Sequence, residues 1–425
     1  MRLIYLIFIL FLMYFTKSLN WSNNPGMETA LFFGFMIIGA FYFSKLLTKT
    51  NLPKVTLYTI FGIIIGPFIL KLSVPSVIAN LKFIDNFTLI IIALMAGSEL
   101  DLKFMKKEIK QVLSIVFLQI IFIFIAIFLT ILFFGKHLLP FIATISQSLI
   151  IKIAIIMGLV GIAKSPLTTI AVIDETKAKG PFTEFLLGIV IIKDILMLLL
   201  FPIIFMFLGT GSSAAPLSIL LEIFISFLVG LLSGIIIKYY MKKINLFLPL
   251  FLFILSFFII ESKGLLHYDL LLVAIVTGFY MRNFTNVSEQ FSKNIKSLAF
   301  FVFVVFFTIN GILLDLPILK SGWISAVILL VIILVFNQLG IYIPAKLNSK
   351  KDPVTSQKLI KYAWTAFINK SGLSIAIAIM VENLFPTIGT QLRTIIITMV
   401  IITDFIGPAL FKWAIIKTGE GKIEN

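Results

Sequence analysis

One pattern occurs twice in this chain, and a duplicated pattern of charge inside apolar segments constrains the fold more than composition does. In the first third, Gly97-Ser98-Glu99-Leu100-Asp101-Leu102 is followed by Lys164-Ser165-Pro166-Leu167 and then by Val190-Ile191-Ile192-Lys193-Asp194. In the last third the order returns as Gly311-Ile312-Leu313-Leu314-Asp315-Leu316, Lys370-Ser371-Gly372-Leu373 and Val400-Ile401-Ile402-Thr403-Asp404. The lysine-to-aspartate separations are about 30 and about 34 residues, as expected of duplicated structural halves. Two related halves in a membrane, each with a broken helix and a buried carboxylate, describe a secondary transporter.

Composition enters as a limit on the environment. Hydrophobic residues are 60% of the 425, charged residues are 13%, and the mean hydropathy is +1.13. Soluble domains carry about 25% charged residues, so this chain lacks the polar surface to sit in water. With no cysteine, disulfides and thiolate metal sites are excluded. His137 and His267 stand too far apart in sequence to suggest a metal cluster, and no cofactor is expected. The net charge of +16 raises a nucleic-acid reading, which the distribution rejects. Lys and Arg fall in alternate short loops, roughly 23 on one side against roughly 7 on the other, the positive-inside pattern. This predicts a multi-pass protein of the cytoplasmic (inner) membrane, facing lipid, with its C-terminus cytoplasmic.

An apolar stretch follows Arg2, short of the ~20 residues a spanning helix needs. Residues 1–27 are therefore expected to be an extra span or an uncleaved signal. About 13 segments of spanning or half-spanning length come next. They lie at 28–47, 57–71, 86–99, 110–134, 148–174, 182–208, 216–240, 245–262, 267–281, 297–313, 321–345, 358–381 and 391–416. The odd number fits six helices, a linker and six more: a first inverted repeat at 28–208, a linker helix within 209–240, a second repeat at 241–416 and a short cytoplasmic tail at 417–425. The fold class is thus an all-α polytopic membrane protein with crossed discontinuous helices. Gly66 and Gly278 extend the match between halves. Short loops and the lack of a Gly-x-Gly-x-x-Gly fingerprint exclude soluble catalytic and nucleotide-binding domains.

Ser165-Pro166 and Ser371-Gly372 fall mid-segment, in the fifth helix of each half. Proline removes a donor and clashes with the preceding turn; glycine weakens a helix. One such residue is commonly just a kink, but corresponding breaks in two inverted halves point to a binding site. Broken helices expose partial charges of both signs near mid-membrane. Lys164 and Lys370 are placed to compensate the exposed carbonyls. Ser165, Thr168, Thr169, Ser371 and Asn369 offer oxygen to a small cation, against the bland alternative of back-bonding to their own helices. Asp194 lies within the apolar run from Leu186 to Phe201, where a carboxylate costs at least about 2.5–3.5 kcal/mol unless paired or wetted. Such a group can hold either a proton or, transiently, Na⁺ or K⁺; the alternative is a static salt bridge. Lys193 points about 100° away from Asp194 on a helix, towards Asp404, Lys370 or a domain interface. Asp404 is the counterpart of Asp194 and is expected to be structural. Glu175 and Glu382 follow the two breaks, at the membrane surfaces.

On these residues the chain resembles the second branch of the monovalent cation/proton antiporter superfamily, which includes Kef-type and bacterial Na⁺/H⁺ exchangers. The likeness runs from about residue 28 to near the end. It rests on Tyr58 to Pro67, on Leu94 to Leu102, on Lys164 to Leu200 with its Gly180-Pro181 turn, and on the closing stretch from Asp404 to Glu420. The resemblance implies a homodimer with a dimerisation scaffold and a moving core, and it makes Asp194 the essential ion-binding aspartate. Lys193 departs from the pattern, since Asp or Asn is usual there. Lys164 stands where a small residue is common, and Asp404 where glutamate is usual.

Three readings follow. The first is exchange of a monovalent cation, Na⁺ before others, for H⁺ by alternating access, with Lys193 as a switching partner of Asp194. The second keeps the fold and changes the cargo to K⁺/H⁺ or to an anion coupled to a cation, as the lysine surplus suggests. The third is a membrane sensor without flux. An enzyme is not expected, because no nucleophile–base pair stands out.

Overall fold

The computed structural model describes residues 2–19, 25–47, 52–73, 76–77, 82–100, 102–207, 216–244, 246–314, 319–370, scattered positions from 374 to 385, and 387–422. Fifteen α-helices lie among the described residues, and no strand does. Seven of the helical segments are long and apolar enough to cross a membrane by themselves. With no water in the hydrocarbon to pair exposed backbone, helices are how such a chain satisfies its own amides.

The chain divides into two compact units that interleave in sequence. The first unit comprises Met1–Asp101 and Leu221–Asp315. Its helices are α1 (Arg2–Ser18), α2 (Pro25–Leu46), α3 (Lys54–Ile65), α4 (Lys82–Glu99), most of α9 (Pro216–Lys243), α10 (Leu248–Leu266), α11 (Leu270–Phe284) and α12 (Ser288–Leu313). Helix α1, the segment expected to be an extra span or a signal, packs against α2. Asp269 starts α11 by accepting the Leu272 N–H at 2.8 Å, the usual role of a carboxylate at a helix N-terminus.

Two crossings hold this unit together, and both are made of glycine. Gly62 of α3 faces Gly311 of α12, and Gly97 of α4 faces Gly278 of α11. A Cβ on any of the four would run into a backbone carbonyl oxygen of the opposing helix. Small residues at such contacts let membrane helices approach backbone to backbone. By these contacts the counterpart of Gly278 is Gly62, one turn before Gly66.

The second unit comprises Leu102–Leu220 and Leu316–Asn425. It contains α5 (Leu102–Leu138), α6 (Gln147–Ile162), α7 (Pro166–Thr176), α8 (Pro181–Phe207), α13 (Leu319–Asn348), α14 (Pro353–Tyr362) and α15 (Gly389–Lys417). Its core is aliphatic: Ile123, Ile127 and Ile131 of α5 meet Ile153, Ile156 and Val160 of α6, Leu329 and Ile333 of α13, and Ile396 and Met399 of α15. Ser146 opens α6 by accepting the Leu149 N–H at 3.4 Å. Asp352, followed by Pro353, opens α14 by accepting from Thr355 at 3.0 Å. Every described residue expected to carry ion chemistry falls in this second unit.

Candidate functional site

Helix α6 stops at Ile162, inside the apolar stretch Gln147–Thr176. Pro166 has no N–H for the Ile162 carbonyl. Ser165 turns its own N–H to the Asn369 carbonyl at 3.1 Å instead of to Gly161. The first break is thereby tied to the second half of the sequence. The carbonyls left at the end of α6 find a cation: Lys370 Nζ donates to Val160 O at 2.7 Å and to Gly161 O at 3.1 Å. An ammonium at a helix C-terminus meets both the unpaired carbonyls and the negative end of the helix dipole.

The chain restarts as α7 with Ser165 at the N-cap and Pro166 in the first turn. Ser165 Oγ accepts from Thr168 N at 3.5 Å and from Thr168 Oγ1 at 3.4 Å, and Thr169 Oγ1 donates to Ser165 O at 3.3 Å. These hydroxyls therefore bond within their own turn. Across the second break, α14 ends at Tyr362 and tightens into a 3₁₀ turn, Ala363–Phe367. Lys370 N then donates to Thr403 Oγ1 of α15 at 3.3 Å. Ser371 and Gly372 lie outside the described residues. The Asn369 amide is buried, and neither its oxygen nor its nitrogen has a hydrogen-bond partner among the described residues. Gly407 sits against that oxygen. Asp404, half-buried between Thr403 and Gly407 in sequence, thus belongs to the stretch of α15 that meets the second break.

Asp194 is 5% exposed in the middle of α8, and Lys193 is wholly buried. Lys193 Nζ donates to Gln119 Oε1 of α5 at 3.1 Å and to Asn337 Oδ1 of α13 at 3.5 Å. It also lies 5.6 Å from the centre of the Phe367 ring. Its partners are therefore two neutral amides and an aromatic face, where the sequence suggested Asp404, Lys370 or a domain interface, with Asp194 as a switching partner. Lys164 Nζ is buried without a hydrogen-bond partner among the described residues.

Glu175 and Glu382, expected at the membrane surfaces, each tie to α15: Glu175 to Lys412 at 2.8 Å and Glu382 to Arg393 at 2.7 Å. Glu420 entered the sequence analysis only as the end of the closing stretch, with no role assigned. Its carboxylate accepts from Phe182 N at 3.2 Å, Thr183 N at 2.8 Å, Thr183 Oγ1 at 2.9 Å and Lys358 Nζ at 3.0 Å. It caps the N-terminus of the helix that carries Asp194. Gly180, with φ of +154°, supplies the turn, and a Cβ there would strike the Glu420 side chain. Gln119 and Asn337 were also missed. The available signal was amide side chains inside the long apolar fourth helix of each half, in Phe117-Leu118-Gln119-Ile120 and Phe336-Asn337-Gln338-Leu339.

A chain with this many apolar spans, a helix broken in mid-span, a second broken segment bonded to it and a buried carboxylate in the same compact unit is built as an ion-coupled membrane transporter. It belongs to the sodium/hydrogen exchanger family: the model of the exchanger's transmembrane region matches residues 35–417. A stretch of 86 residues is 36% identical to the probable Na⁺/H⁺ antiporter 3 of Methanocaldococcus jannaschii, covering 20% of this chain and 22% of that relative. Two solved structures of the sodium proton antiporter MjNhaP1 from the same organism share the fold. One, determined at pH 8, superposes with a TM-score of 0.65 at 18% identity, covering 92% of this chain and 99% of the other. An electron-microscopy structure gives 0.71 at 17% identity, covering 92% and 97%.

Proposed function

We propose that this protein exchanges a monovalent cation, Na⁺ before others, for protons across the membrane by alternating access, and that Asp194 is the shared carrier. The observation that carries the reading is the placement of Asp194, buried in α8, within the compact unit where Ser165 and Asn369 join the two breaks. A carboxylate holds either a proton on oxygen or a cation beside it, and occupancy by one excludes the other. That competition, offered to each side in turn, couples the two fluxes.

The other residues divide by role. The unpaired Asn369 amide oxygen is a ready ligand for a dehydrating cation, with Ser165 and Thr168 hydroxyls as further oxygens. Lys370 neutralises the open end of α6; Lys164, Pro166, Ser371, Gly372 and Asp404 shape and balance the crossing. No covalent step is involved. The lysine distribution favours the cytoplasmic membrane with the C-terminus inside, and family resemblance favours a homodimer embedded in lipid.

Flux in proteoliposomes tests this. A pH gradient is imposed, Na⁺, K⁺, Li⁺ or choline is added in turn, and lumenal pH is followed. Asp194→Asn is expected to reach the membrane normally and to respond no more than protein-free vesicles. Sodium-driven proton movement in that variant would overturn the assignment of Asp194. A response to K⁺ without Na⁺ would name K⁺ as the cargo. A response only to anion replacement would favour the anion-coupled reading, and silence in every medium would favour a sensor.

A further inference from the structure

Lys193 precedes Asp194 in sequence, yet its amino group is held by other elements. Gln119 Oε1 approaches from α5 at 3.1 Å, Asn337 Oδ1 from α13 at 3.5 Å, and the Phe367 ring from the 3₁₀ turn at 5.6 Å. Two neutral carbonyl-type oxygens and one ring face are what a small monovalent cation accepts in place of water. Neither oxygen carries a charge, so nothing in this cradle ties a cation to proton uptake, unlike a carboxylate. The amides also leave a mark of their commitment. Gln119 Nε2 and Asn337 Nδ2 have no hydrogen-bond partner among the described residues. Both oxygens go to Lys193, and both nitrogens stay unpaired among the described residues. Unsatisfied buried donors are unfavourable, so the orientation makes sense for amides organised around a cation.

We propose that Gln119, Asn337 and Phe367 form a monovalent-cation site separate from Asp194, and that the Lys193 ammonium is its tethered, resident occupant. The cradle needs no exchange activity to exist. Its consequence for transport rests on the reading of Asp194 as carrier: Lys193 is then not displaced when a cation reaches the carboxylate, and one movable cation remains per cycle.

The first test uses binding and no flux. Lys193→Ala removes the amine and its four-carbon stem, leaving room for methylammonium. Lys193→Met fills the stem's space without the charge. The purified proteins are melted in methylammonium chloride and in choline chloride at equal ionic strength. Methylammonium is expected to raise the melting temperature of Lys193→Ala by a few degrees, and to leave wild type and Lys193→Met unmoved. No shift in Lys193→Ala, or the same shift in Lys193→Met, overturns the proposal.

Should Lys193→Ala fail to fold, Gln119→Leu in the otherwise native chain keeps the question open. Loss of one cradle oxygen is expected to lower the melting temperature while the KM for Na⁺ stays within about twofold. A KM raised about tenfold would put the cradle inside the exchange site and overturn the proposal, as would an unchanged melting temperature. If wild type shows no cation-driven proton flux, the exchange reading fails while the methylammonium result still decides the cradle.

Discussion

At the scale of single residues, Lys370 shows how charge makes a broken helix tolerable. Its amine replaces the backbone donors that α6 loses at the Ser165-Pro166 break, bonding Val160 O and Gly161 O. Lys370→Met keeps most of the bulk and leaves two buried carbonyls unpaired. Each orphaned group costs roughly 1–3 kcal/mol, so the purified variant should melt clearly below wild type. A melt equal to wild type would show that those carbonyls have another donor. This role was legible in the sequence, because a lysine beside a break in an apolar helix has few other uses. The partners of Lys193 were not legible. Gln119 and Asn337 lie 74 and 144 residues away, and only the rotation of α5 and α13 about their axes turns both amides inward. Local sequence does not set that rotation; packing across the whole unit does.

Among elements, the glycine crossings of the first unit make the sharpest prediction. Gly97→Ala and Gly278→Ala each place a methyl group against the opposing helix's backbone, which has no flexible end to yield. Overpacking of this kind costs about 1–3 kcal/mol or more. Gly34→Ala, where a Cβ meets nothing within 4 Å, is the control and should melt with wild type or slightly above it. Equal melts for all three would remove the crossings as a source of stability. Helix positions were largely readable from the apolar runs. The break after Ile162 falls inside the segment expected at 148–174, where proline announced it. Helix ends were read less well. The 110–134 segment became α5 at Leu102–Leu138, because the charged residues from Lys103 to Lys110 continue the helix beyond its apolar part. The turn from α14 into 3₁₀ geometry before Lys370 had no proline to signal it.

Over the whole molecule, the repeated pattern marks sequence halves, whereas the compact units each draw on both: Met1–Asp101 with Leu221–Asp315, and Leu102–Leu220 with Leu316–Asn425. Periodicity in sequence carries no record of which distant segment completes a core, so this interleaving was invisible beforehand. Glu420 is its plainest product, joining the end of α15 to the start of α8 and to Lys358. Glu420→Gln should lower the melting temperature, since charge-assisted bonds to two amides and an ammonium become neutral ones. Lys358→Met should do so less. In a double-mutant cycle the two effects should add to less than their sum, and full additivity would mean that the pair does not interact. The same carboxylate also imposes an order of biosynthesis. The amides of Phe182 and Thr183 are made long before the residue that caps them, which is encoded about 237 positions later. At ~5–20 residues per second the ribosome needs on the order of tens of seconds to supply it. Through that interval the helix bearing Lys193 and Asp194 has no cap, and for the earlier part of it no Asn337 either, so the nascent second unit must wait in the membrane, half-built, for its own far end.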